Sequence, residues 1–292
     1  MSVLNNASDG LHTVLIVLFQ TLLNTKSGLV EETLRLRLEP PNAGGKFDHT
    51  LRRWIELGLL EKQGDKVAVA KRYRAPSNRI VPGSLEHVAW AARTAAFAPE
   101  NNERFWEATQ SRSADLTRSL AWLLCQDVYS FDWSSIAELE AAQLMDESKR
   151  FARNSNRVSM LRSWGALLGF LWDDGNSVAI DPTVAILDVL PSALKSTREI
   201  PIEDFLDALV VELPVLDRGR YRAQVEEQLD PAHYPRLPAE SLSSSLSRAL
   251  LRLRRDQVVR FENRADSPQA VYLRGPQGRP GDRVTHVASV RN

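Results

Sequence analysis

Cysteine is almost absent from this chain. Cys125 stands alone among 292 residues, which excludes an intrachain disulfide and any cysteine-based zinc site and fits a reducing cytosol. Long apolar runs are lacking too: the longest, from Val14 to Leu23, is broken by Gln20 and falls far short of the ~20 residues a membrane-spanning helix needs. No Lys or Arg precedes that run, and Asp9 stands where a secretory signal would carry one. A cytoplasmic protein without membrane contact is expected. Net charge is missing as well, with 37 Lys and Arg against 37 Asp and Glu.

Catalytic constellations are equally scarce. The histidines His12, His49, His87, His233 and His286 show no metal-ligand spacing, and there is no Gly-x-Ser-x-Gly elbow or Cys/His pair. Gly44-Gly45-Lys46 has the form of the end of a phosphate-binding loop, but Pro40 replaces the first glycine and Phe47 the Ser/Thr that would hold magnesium. Asp173, Asp174 and Asp181 sit on and after a turn, where Asp is the expected residue. A non-enzymatic protein without cofactor or metal is the expectation; a nuclease site assembled from dispersed residues stays open.

What the chain does contain is a repeat. Leu51-Arg52-Arg53-Trp54, Leu57-Gly58-Leu59-Leu60, a polar tip Gln63-Gly64-Asp65 and the alternating Lys66-Val67-Ala68-Val69 recur as Leu161-Arg162-Ser163-Trp164, Leu167-Leu168-Gly169-Phe170-Leu171, the tip Asp173-Asp174-Gly175-Asn176 and Val178-Ala179-Ile180. A weaker third copy aligns Leu246, Leu250 and Leu253 with Phe47, Leu51 and Trp54. It predicts a strand at Val258-Val259, a wing tip over residues 262–268 and a return strand Ala270-Val271-Tyr272-Leu273. A helix running into a glycine-tipped hairpin is the pattern of a winged helix-turn-helix.

The expected fold is therefore mainly α with β confined to the wings: tandem winged helix-turn-helix domains joined by helical segments. The boundaries are an N-terminal winged helix over residues 1–75, a linker over 76–84, a helical segment plus second winged helix over 85–192, a C-terminal winged helix over 193–274 and a flexible tail over 275–292. In the first copy, helices are predicted at residues 10–23 (capped by Asp9), 29–38 (capped by Ser27, ended by Pro40-Pro41) and 47–57. Ser135 with Glu138 forms a capping box for a helix at 136–145. In the other copies, helices are predicted at 157–168, 202–213 and 240–257. The aromatics Trp90, Phe97, Phe105, Trp106, Trp122, Phe131 and Trp133 read as packing between helices rather than as a base-stacking platform.

The zero net charge hides a polarity along the chain. Residues 1–75 hold 11 Lys/Arg against 8 Asp/Glu, residues 241–292 hold 10 against 4, and the middle is acidic. On the helix at 47–57 the face opposite Phe47, Leu51, Trp54 and Ile55 carries Asp48, His49, Arg52, Arg53 and Glu56, with Lys62 and Lys66 flanking the wing tip. The last helix is expected to present Ser244, Ser247, Arg248, Arg252, Arg254 and Arg255. The second copy exposes Arg157, Ser159 and Arg162 but carries acids on its wing, which would repel phosphate. The expected duplex contacts are thus His49, Arg52, Arg53, Lys62, Lys66, Arg248, Arg252 and Arg255, with a partner protein on the acidic middle. Arginines that only solvate a helix face are the plain alternative.

The pattern Leu51-x-x-Trp54-x-x-Leu57-Gly58-Leu59-Leu60 in residues 10–72 resembles the winged-helix superfamily, whose members bind DNA, RNA or proteins. The opening Met1-Ser2-Val3-Leu4-Asn5-Asn6-Ala7-Ser8-Asp9-Gly10 and the chain length resemble the DpdG family, accessory proteins of bacterial gene clusters that insert 7-deazaguanine bases into DNA and restrict foreign DNA. That resemblance implies a role in phage defence and assigns no catalytic residue. A scaffold that never touches DNA and a transcriptional regulator remain the rival expectations.

Overall fold

The apolar stripe of the first predicted helix, Leu15, Leu18, Phe19 and Leu22, is fully buried, and everything around it follows from covering that stripe. In a computed structural model of the protein, residues 3–4, 12–39, 45–76, 80–107, 112–194, 199–267 and 269–290 are described. The expected cap at Asp9, the helix break at Pro40-Pro41, Gly44, the linker residues Ser77-Asn78 and Pro268 at the third wing tip lie outside them. The described residues form a mainly α protein with small antiparallel sheets. No helix among them is long and apolar enough to cross a membrane. The chain divides into two compact units, residues 1–117 with 153–168, and residues 118–152 with 169–292.

The first unit opens with α1 (His12–Leu23), β1 (Leu29–Val30), α2 (Glu31–Leu38), α3 (Lys46–Glu56), β2 (Leu60–Gln63) and β3 (Lys66–Val69). The sheet order is β1-β3-β2. Residues 29–30 were expected to start a helix and instead pair with β3, Leu29 opposite Val67. The reason lies at Gly28, which has φ +74° and so little room that an added Cβ would stand 2.5 Å from the Val67 carbonyl oxygen. α3 buries Phe47, Leu51 and Trp54, and each fully buried side chain of this size contributes roughly 1.5–3 kcal/mol.

The same unit holds α4 (Leu85–Phe97), the start of α5 (Ala114–Cys125) and α7 (Ser155–Leu167). The two tryptophans of the repeat meet here, Trp54 and Trp164, with ring centroids 5.4 Å apart. Helix C-termini leave carbonyls without intrahelical partners. α4 and the turn after it supply donors: Arg93 Nη1 to the Leu168 carbonyl at 2.8 Å, and Asn101 Nδ2 to the Leu57 carbonyl at 2.9 Å.

The second unit contains the rest of α5, α6 (Ile136–Gln143), β4 (Leu171–Asp173), β5 (Val178–Ile180), α8 (Thr183–Leu194), β6 (Glu199–Pro201), α9 (Ile202–Glu212), α10 (Arg220–Glu226), α11 (Ser244–Arg255), β7 (Val259–Glu262), β8 (Val271–Arg274), β9 (Pro280–Val284) and β10 (His286–Ser289). Ser135 makes no side-chain cap for α6, contrary to expectation. It already closes a 3-10 turn whose first donor, the Ser134 N–H, goes to the Asp132 carboxylate at 2.9 Å.

The strand expected at residues 270–273 forms as β8, but it does not return along β7. β7 pairs with β10, Val287 opposite Phe261, while β8 pairs with β9. The three-stranded order β6-β10-β7 repeats β1-β3-β2. Each sheet starts with a short strand leading directly into a helix, β1 into α2 and β6 into α9. The segment expected to be an irregular tail is thus two strands. Its glycines and prolines make a turn closed by the Gly275 N–H to Arg279 carbonyl bond at 2.9 Å. At Gly281 an added Cβ would lie 2.8 Å from the Leu273 carbonyl oxygen.

Candidate nucleic-acid interface

Two helices and one hairpin carry the expected contacts, α3 with β2–β3 in the first unit and α11 in the second. α3 ends in a left-handed turn at Gly58, φ +72°. The Leu57 N–H bonds the Arg53 carbonyl, Gly58 N–H the Ile55 carbonyl and Leu59 N–H the Trp54 carbonyl, each at 3.0 Å. This turn aims Leu59 and Leu60 inward and launches β2. On the outer face, Arg35 clasps Asp48 through two bonds of 2.7 and 2.6 Å. Those bonds hold the Asp48 carboxyl below its ordinary value.

Of the residues expected on this surface, Arg52 and Lys66 are exposed and make no ion pair among the described residues. His49 is half-buried. Lys62 is exposed but binds Glu31 at 2.5 Å. Arg53 contradicts the outward face expected for it. It is only 3% exposed and its Nη1 reaches Glu56 at 2.9 Å. It lies on the flank of the apolar stripe, next to the fully buried Trp54.

α11 is positioned by a buried polar chain. Asp217 accepts the Ser243 N–H at 2.5 Å and the Ser243 hydroxyl at 2.7 Å, while Ser243 Oγ accepts the Leu246 N–H at 3.2 Å as N-cap. Arg222, fully buried, holds Asp217 at 3.4 Å and Glu226 at 2.6 Å, and the Tyr234 hydroxyl donates to Glu226 at 2.9 Å. Cys125 borders this chain; burial pushes its thiol up to about 12, which keeps it protonated and inert. Ser244 and Ser247, expected outward, are buried; Ser247 Oγ accepts the Arg274 N–H at 2.8 Å.

The arginines of α11 are less free than their sequence suggests. Arg252 pairs with the nearly buried Asp181, Arg254 with Asp282, and Arg255 with Asp256 at 3.0 Å. Arg264 binds Glu199, and Arg260 reaches Glu262 at 3.3 Å. Arg248 makes no ion pair among the described residues. Arg157 in the second copy is buried against Asp115 at 3.1 Å instead of exposed. Asp173 and Asp174 accept turn N–H groups at 2.8 to 2.9 Å.

One feature of the second unit escaped the sequence reading. Trp172 on β4 and Tyr129 after α5 share a groove of about 560 Å³ with Asp181, Arg248, Arg252 and Arg255. The signal was present in strand alternation, since Leu171 faces inward and Trp172 must then face out. Tyr129 lies more than forty residues upstream, and no local pattern links the two.

A family model described as DpdG-like matches residues 1–267 of the chain. Among curated proteins and solved structures, nothing matches.

Proposed function

The chain belongs to the DpdG-like family, and on that premise we propose that it is a non-enzymatic, cytoplasmic accessory protein of a bacterial system that inserts 7-deazaguanine bases into DNA and restricts foreign DNA. It contacts duplex DNA through winged helices and a partner protein through its acidic middle. Residues 12–69 act as a winged helix, with α3 in the major groove and the β2–β3 hairpin on the adjacent backbone. The observation that carries this is the pair Arg52 and Lys66, one on α3 and one on the hairpin, both exposed and neither engaged in an ion pair among the described residues. Lys62 can leave Glu31 for a phosphate, because an exposed pair is worth only about 0–1 kcal/mol. Arg53, buried, drops out of the contact set, and His49 stays beside it as a secondary contact.

The second sequence copy is not used in this reading, since α7 belongs to one unit and the β4–β5 hairpin to the other. The third comprises α8, β6, α9, α11, β7 and β10, with β8 and β9 inserted into its wing. A second reading, an assembly scaffold without DNA contact, is favoured by Arg252, whose guanidinium is already claimed by Asp181. Complementation decides between them. In a strain carrying the gene cluster, deletion of this gene is expected to abolish DNA modification or restriction, and Arg52→Ala with Lys66→Ala is expected not to restore it. Full restoration by that double variant, expressed at wild-type level, would favour the scaffold.

A further inference from the structure

The groove between β4 and α11 has the chemistry of a site for unpaired nucleotides. Trp172 lies on the outer face of β4 opposite Ala179 in the ladder, so a small residue leaves one face of the indole uncovered. Trp172 is 47% exposed and Tyr129 38% exposed, and large aromatics left open at one place mark a binding surface more often than chance. On the other wall, Arg248, Arg252 and Arg255 follow one another at helical spacing on the side of α11 opposite Leu246, Leu250 and Leu253. Of the groove's own lining only Asp181 is acidic, and Arg252 neutralises it; Arg255 pairs with the exposed Asp256 outside the lining at 3.0 Å, a surface pair worth only about 0–1 kcal/mol that a phosphate can replace. Asp173, the next residue on β4, points to the opposite face of the strand. Flat π-surfaces beside cations match a strand whose bases are unstacked and whose phosphates are exposed.

We propose that this groove binds single-stranded nucleic acid, with bases stacked on Trp172 and Tyr129 and phosphates held by Arg248 and Arg255. A duplex offers no open base faces to such a platform. The site shares no residue with the α3 surface and extends the nucleic-acid reading to a second substrate form. Arg252 remains the structural partner of Asp181.

The test titrates full-length protein with a fluorescein-labelled 12-mer of oligo(dT), following anisotropy and quenching of tryptophan emission. Wild type is expected to bind with quenching, and Trp172→Ala to weaken binding by about 5-fold or more, the lower end for loss of one base–aromatic stack. Trp172→Phe should retain most of the affinity. Arg248→Ala with Arg255→Ala should weaken binding and flatten its salt dependence. Trp172 is exposed, so its truncation leaves the fold intact, which an unchanged melting temperature verifies. Duplex binding is read on Arg52→Ala with Lys66→Ala and strand binding on Trp172→Ala, so duplex contact by α3 and strand binding by the groove stand or fall separately. The proposal is overturned if oligo(dT) does not bind at low salt, if Trp172→Ala binds like wild type, or if polyglutamate or a matched duplex displaces the strand as well as unlabelled oligo(dT).

Discussion

His87 shows how one buried side chain sets a pH limit on this protein. Gly83 N–H donates to Nδ1 at 3.0 Å, and Nε2, which must then carry the proton, donates to the Tyr73 carbonyl at 2.8 Å. Phe19 closes the ring in from one side at 5.0 Å. Burial depresses the imidazole below its ordinary 6.5, so the unfolded chain takes up a proton before the folded one does. Stability is therefore complete above about pH 6.5 and is lost as pH falls through the depressed folded value. His12, also depressed by burial, acts in the same direction. The melting temperature should drop between pH 7 and pH 5.5, with a shallower pH slope in His87→Gln, whose amide keeps a donor and an acceptor. Equal slopes for the two proteins would remove His87 from the account.

At the scale of elements, the recurring device is the left-handed turn that ends a helix and leads into a strand. Gly58 has φ +72°, Gly169 +83° and Gln257 +54°. The backbone closes alike after them: Ala70 N–H to the Leu59 carbonyl, Asp181 N–H to Phe170 and Val290 N–H to Val258, at 3.0 to 3.1 Å. Gly169 and Gly175 separate conformation from packing, since both have positive φ but an added Cβ at Gly169 would lie 2.7 Å from the Ala185 nitrogen while Gly175 has nothing within 4 Å. Gly175→Ala should lose about 1–2 kcal/mol by conformation alone, and Gly169→Ala clearly more, by urea denaturation. Equal losses would contradict the packing argument. These turns were legible in sequence at Gly58 and Gly169, because glycine marks them. Gln257 carries no such mark. β10 was also illegible, because the Gly275-to-Gly281 stretch that folds as a hairpin turn has the composition of a loose tail. Likewise Arg53 and Arg157 look exposed on a helical wheel; their burial depends on elements far away in sequence, and periodicity carries no information about those.

On the scale of the whole molecule, 37 cations against 37 anions leave no general attraction to DNA, so the contact we propose rests on local surfaces where cations are unspent. The ion pairs of the structure thin the candidates sharply. On α11, Arg252 is held by the nearly buried Asp181 and Arg254 by Asp282, while Arg255 meets only the exposed Asp256 beside it, a pair weak enough to yield to a phosphate. α3 and its hairpin hold five cations, Lys46, Arg52, Arg53, Lys62 and Lys66, and of these Arg52 and Lys66 are exposed and make no ion pair among the described residues. The duplex contact we propose therefore falls chiefly to α3 and its hairpin, a choice that the net charge of the two ends of the sequence would have reversed. The most direct measurement is anisotropy of the full-length protein with a labelled random duplex across a salt series. Binding should weaken steeply with salt, and Arg52→Ala with Lys66→Ala should lower both the affinity and the log–log salt slope, the slope by about 0.9 per lost phosphate contact. No binding at low salt, or an affinity and slope unchanged in the double variant, would contradict it.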